Sequence, residues 1–295
     1  MKITYLGNFS NKFSDLTEEH IKFVFEELGH KVIPYHEKDF DIDKLVELTK
    51  TSDLFFFHKG GVAKGIELSD LIELLNKITC KKVFWYFDKV ERERELWMQT
   101  VAPYVDYGFL TDETWLRRNN YPNLSILRQG IGNEDIGYLP KEREEYKCDI
   151  AFVGNIYEEE RLRFVNALKE VYGDKFKIFN NVFGKDLMDL CASAKIIVAP
   201  IYPSNEFYWS NRIYLITGSG GFIIHPLLEG LKEEFTNGAE FVGYKTGEQL
   251  KSAIDFFLLP ENEDKRKIIQ KQGYKKTIGN YTLFHRIELL LKKIK

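Results

Sequence analysis

The chain has 295 residues, 44% of them hydrophobic, enough for two ordinary cores, and chains beyond roughly 250 residues tend to divide. Its 42 Lys and Arg nearly balance 45 Asp and Glu, and the net charge of -3 excludes a chain-wide attraction for nucleic acid. Three scattered cysteines without a CxxC pair, and no run of about 18 apolar residues, argue against a disulfide framework, a zinc site and a membrane span.

An apolar run at 3–6 ends on Gly7 and Asn8 and precedes a helix expected near 16–28, where Ile21, Val24, Phe25 and Leu28 recur at helical spacing. Strands follow at 31–35, 54–57, 83–87 and 107–110, with helices expected near 43–50, 67–78 and 92–101 between them. This βα alternation predicts a parallel sheet covered by helices on both faces. The buried-strand run LFFFH delivers His58 to a strand end, followed by Lys59, Gly60 and Gly61. Histidine titrates near neutrality, so His58 is a candidate acid/base, and Asp88, closing VFWYFD, is its rival. Asp112 and Arg128 end later strands and are weaker candidates.

The alternation pauses at 130–147, a stretch with Gly132, Gly137, Pro140 and the charge run KEREEYK that reads as an interdomain linker. It restarts with a strand at 149–153 and then Gly154-Asn155, a second strand-to-helix loop able to cradle phosphate. A helix near 158–172 carries Arg161 and Arg163, one of which can turn towards that loop. A strand at 176–179, the loop 180–185, a helix near 185–194 and a strand at 195–199 come next.

Ser210, Asn211 and Arg212 open the following helix, which runs to Ile216 and stops at Gly218, Gly220 and Gly221 before a buried strand at 222–224. Ser210 or Asn211 can cap the helix, its exposed N–H groups and dipole attract anions, and Arg212 adds a forked cation. Together they form a candidate diphosphate site. A strand at 241–244, a helix at 247–258 and two further helices complete the chain.

The run SNRIYLITGSGGFIIHPLLEGLKEEFTNGAEFVGYKTGEQL, continued by a Gln-Gly-Tyr turn at 272–274 and a final helix, resembles group 1 glycosyltransferases and the spore-maturation CgeB-like proteins over about residues 148–290. The resemblance implies an α/β fold of the GT-B type, with two Rossmann-like domains whose parallel sheets face across a cleft. These would be 1–140 for the acceptor and 148–280 for the donor, with the helix at 281–295 packing back on the first. The implied donor is a nucleotide sugar, UDP-linked by preference, bound by Gly7, Asn8, Gly154, Asn155, Arg161, Glu206, Ser210, Asn211 and Arg212. His58, Asp88 and Arg212 are the expected catalytic set. No metal and no further cofactor is implied, and a retaining mechanism is favoured. The loop 180–185 would supply backbone contacts to the base.

One departure stands out. Related helices carry a Glu that holds the ribose, and this chain has Leu215 there, with Glu206 as a possible substitute. That departure supports the alternative of an inactive nucleotide-sugar sensor; a nucleotide-sugar 2-epimerase is the other. The acceptor class stays open among saccharide, lipid, small molecule, protein and modified DNA base. The opening MKITYLGNFS lacks a signal-peptide core, so a cytoplasmic setting is expected.

Overall fold

The computed structural model describes residues 1–9, 17–58, 66–132, 136–156, 159–200 and 206–295. The chain divides into two compact units, residues 1–134 with 283–295, and residues 135–282.

The first unit is built on six parallel strands in the order β2-β1-β3-β4-β5-β6. They are β1 (Lys2–Gly7), β2 (Lys31–His36), β3 (Leu54–His58), β4 (Lys81–Tyr86), β5 (Tyr107–Leu110) and β6 (Leu124–Ile126). Successive side chains point to opposite faces, and both faces are covered, so β3 reads as an unbroken apolar run. Phe55 and Phe57 pack with Leu71, Leu74 and Trp97 from α3 (Leu68–Lys77) and α4 (Glu93–Val101). Leu54 and Phe56 pack on the other face with Ile21, Val24 and Phe25 of α1 (Thr17–Glu27) and with Ile287 and Leu290 of the C-terminal helix. One element adds to the sequence reading, α5 (Glu113–Arg118); β6 is the strand expected before Arg128, and α2 (Ile42–Thr49) joins the α3 side of the core through Leu45.

The second unit has five parallel strands in the order β11-β10-β9-β7-β8. These are β7 (Cys148–Val153), β8 (Phe176–Phe179), β9 (Ala194–Val198), β10 (Ile223–Pro226) and β11 (Val242–Tyr244). One face is covered by α7 (Gly184–Ser193) and α8 (Arg212–Gly218), the other by α6 (Glu159–Tyr172), α9 (Gly247–Leu258) and α10 (Glu263–Asn280). The last helix, α11 (Leu283–Ile294), leaves this unit for the core of the first.

The unit boundary falls within the expected linker 130–147, whose later part belongs to the second unit. The buried Asp189 of α7 accepts hydrogen bonds from the Tyr138 hydroxyl at 3.0 Å and from the Lys141 backbone N–H at 2.8 Å, which straps that part to the second unit. One expectation is corrected: the Gln272-Gly273-Tyr274 turn is absent, because those residues lie inside α10. Gly273 is there for close approach: a methyl group on it would strike the Glu240 carbonyl oxygen.

In both sheets the first strand is flanked on one side by the second and on the other by the third. Open parallel sheets bind ligands outside the carboxyl ends of strands at such a reversal. It falls at Gly7 and His58 in the first unit, and at Gly154 and Ala199 in the second.

Candidate functional site

At the second reversal, β7 gives way to Gly154, whose φ of +135° suits glycine alone. Arg212, the first residue of α8, lies over this loop. Its Nε–H donates to the Val153 carbonyl at 3.1 Å, its guanidinium sits 5.4 Å from the Phe152 ring centre, and Nη2 would be 2.7 Å from any Cβ built on Gly154. Burial, and secondarily the charge of Arg161, push the Arg212 guanidinium down to about 10, so it stays a cation at neutral pH. Among the described residues no carboxylate pairs with it. Arg161 turns inward and donates to the Asn155 carbonyl at 2.6 Å, while Arg163 faces solvent.

The capping expectation for α8 is not met. Asn211 stands at the cap position with helical dihedrals, φ -59° and ψ -12°, and its side chain makes no cap bond. A capping side chain needs an extended backbone to fold back onto the helix N–H groups, and this one is already helical. Its carbonyl accepts the Leu215 N–H instead, and its buried Oδ1 has no hydrogen-bond partner. Ser210 and Arg212 line a small pocket with Pro200, Tyr208, Trp209, His225, Pro226 and Leu228.

His225 was not singled out from sequence. It is 4% exposed near the end of β10, and its Nδ1 is 2.9 Å from the Pro226 carbonyl oxygen. Burial lowers its pKa to about 4, and Arg212 adds to the effect. The only sequence signal was a polar residue near the end of the otherwise apolar run FIIHP. Glu206 does not join this pocket. Its carboxylate accepts the Glu229 N–H at 2.8 Å and its carbonyl accepts the Gly230 N–H, which fastens one turn to another. The loop after β8 holds Asn181 at φ +55° and leads into α7 at Gly184.

At the first reversal the structure gathers Gly7, Asn8, Glu18 and His58. His58 is 7% exposed, with Nδ1 3.4 Å from Glu18 Oε1 and its ring edge-on to Phe87. The same Glu18 oxygen accepts the Asn8 N–H at 3.3 Å. A side chain on Gly7 would meet Glu18 Cγ at 2.9 Å, so the glycine lets the glutamate approach. Glu18 escaped the sequence reading because an acid in a helix's first turn ordinarily serves the helix dipole. Asp88 lies instead near Arg94, 3.8 Å from its Nη1. Lys59, Gly60 and Gly61 fall outside the described residues.

Asp112 and Arg128 are structural. The Asp112 carboxylate caps α5 through the Thr114 and Trp115 N–H groups and accepts the Val90 N–H at 2.8 Å. Arg128 is buried, donates to the Thr111 carbonyl and pairs with Glu113 at 2.7 Å. Neither carries chemistry to the sheet edge. Among the described residues no group of three His, Cys, Asp or Glu could hold a metal ion, and no helix is long and apolar enough to cross a membrane.

Known proteins bear on these geometries. An α-glucosyltransferase in complex with UDP-glucose and DNA containing an abasic site matches 100% of this chain and 99% of its own, with TM-score 0.74 and 9% identity. Anabaena Alr3699/HepE, in complex with UDP and glucose, matches 100% and 99%, with TM-score 0.69 and 12% identity. Sucrose-phosphate synthase from Thermosynechococcus elongatus matches 99% and 98%, with TM-score 0.68 and 10% identity. These likenesses show the GT-B fold. No curated protein matches the chain by sequence. Residues 141–292, just over half of the chain and all of the Gly154–Arg212–His225 site, match the glycosyl transferase-like family model, and the chain belongs to that family.

Proposed function

We propose that this enzyme transfers a sugar from a nucleoside-diphosphate sugar, UDP-linked by preference, to an acceptor hydroxyl with retention of configuration. Within its family we place it beside the CgeB-like glycosyltransferases, on the ordered motif from Ser210 to Pro226. The observation that carries the reading is Arg212: a half-buried cation without a carboxylate partner among the described residues, laid over a glycine loop at the sheet reversal. Such a group is costly unless an anion completes it, and a forked guanidinium matches a diphosphate.

In the transfer, the bond from the sugar's anomeric carbon to the β-phosphate oxygen breaks. The bond to the acceptor oxygen forms on the same face, and the acceptor's proton passes to the departing phosphate oxygen. Arg212 stabilises the charge that builds on the diphosphate, the role that a metal ion plays in other transferases. Gly154 and Asn155 offer backbone to the phosphates, with Arg161 holding the loop. His58, oriented by Glu18, is assigned to the acceptor side.

Replacing Arg212 by Gln keeps part of the side-chain stem and some hydrogen bonding but removes the cation. Hydrolysis or transfer of UDP-glucose is expected to fall by about 100-fold or more while circular dichroism stays native. Arg212→Lys should recover part of the loss, and Gly154→Ala, which displaces the guanidinium, should mimic it. Undiminished turnover in Arg212→Gln sinks the diphosphate assignment.

A further inference from the structure

The resemblance places a ribose-holding Glu where this chain has Leu215, and Leu215 packs against the apolar cluster of the second unit. The pocket beside Arg212 nevertheless contains an acceptor. A carbonyl oxygen only accepts, so the 2.9 Å contact between His225 Nδ1 and the Pro226 oxygen fixes the hydrogen on Nδ1 and leaves the lone pair on Nε2. Burial and the neighbouring Arg212 cation oppose a second proton, which keeps the ring neutral at physiological pH. The pocket therefore sets a neutral acceptor next to a half-buried cation.

A nucleoside-diphosphate sugar answers both demands, since it carries hydroxyls within a few bonds of its phosphates. We propose that His225 is the hydroxyl-reading residue of the donor pocket, its Nε2 accepting a hydrogen bond from a ribose or sugar hydroxyl of the nucleotide sugar that Arg212 holds. This rests on the donor reading above. It makes His225 a specificity-determining residue: a ligand lacking that hydroxyl covers the Nε2 lone pair on binding without giving it a bond, and sites built to bond a hydroxyl discriminate strongly against its absence.

Titration calorimetry on the full chain tests it. The ligands are UDP, UDP with either ribose hydroxyl removed, UDP-glucose, and UDP-glucose with each sugar hydroxyl removed in turn. His225→Asn keeps an N–H at the Nδ1 position for the Pro226 carbonyl and deletes the acceptor at Nε2. The wild type is expected to bind one of the deoxy ligands about tenfold more weakly than its parent, and His225→Asn to bind the two equally. Whether that ligand belongs to the ribose or the sugar series names the hydroxyl. His225→Gln, which returns an amide oxygen near the Nε2 position, should restore part of the preference, and it serves as the second variant if the Asn variant does not fold. Wild-type discrimination persisting in both variants, or an equal loss on hydroxylated and deoxy ligands, overturns the proposal while leaving the donor site standing. A wild type that binds none of these ligands overturns the donor reading and this proposal with it.

Discussion

Arg212 and His225 are neighbours with opposite titration problems, and their proximity has a measurable consequence. The His225 ring, at about 4 in the folded chain against an ordinary 6.5, refuses a proton that the unfolded chain accepts. Stability is therefore unaffected by this group above pH 6.5, falls as pH drops from 6.5 to about 4, and levels off below. The full loss is about 3 kcal/mol by linkage. His225→Asn should remove that slope, measured as urea unfolding free energy at steps between pH 7 and about 4.5. A variant with the wild-type slope would show that other groups control acid sensitivity. Glu263, which Arg266 holds down to about 2, sheds its contribution only in the lower window from 4.5 towards 2. Arg212 and Gly154 were legible in the sequence because glycine at a strand end and a basic residue at a helix start have local signatures. Glu18 had none and His225 only its polarity within an apolar strand, since what distinguishes them is what stands opposite them in space. The missed cap at Asn211 shows the converse: residue type marked the right position, and backbone dihedrals removed the role.

Among the elements, strong periodicity was enough. The strand at Phe176–Phe179 and the helix at Gly247–Leu258 were read to the residue, the first bounded by Gly173-Asp174-Lys175 and Asn180-Asn181, the second capped by the Thr246 side chain onto the Gln249 N–H. The six-residue α5 was missed because it is too short to show a helical period, and the three-residue β6 was legible only as the strand that Arg128 ends. The error in α10 was chemical. Glycine inside a helix costs about 1 kcal/mol relative to alanine, so a local reading ends the helix there. The chain accepts that cost because Gly273 packs against the Glu240 carbonyl and Thr217. Gly273→Ala should therefore lower the melting temperature, although helix propensity alone says it should rise. A stabilised Gly273→Ala variant would show that the backbone yields at no cost.

For the molecule as a whole, sequence family and packing divide the chain at different places. The family match runs to residue 292, well into α11, yet α11 is part of the first unit's core. The helix is fastened there by the Leu283 N–H to the Ile131 carbonyl at 2.8 Å, by the Arg286 Nε–H to the Gln129 carbonyl at 3.0 Å, and by Lys81 to the Ile294 carbonyl. Leu290 and Ile287 are fully buried against α1 and the sheet. A defect in the last helix should thus be felt at the beginning of the chain. Leu290→Ala removes three buried carbons and is expected to cost about 2–5 kcal/mol. Two compact units need not unfold together, so the loss should appear as faster hydrogen exchange in peptides from β1, β3 and β4, with β7, β9 and β10 unchanged. If exchange rises instead in 148–280, or evenly along the chain, α11 is not an independent part of the first core. In that case the two units share one cooperative transition, and calorimetry would show a single peak shifting as a whole.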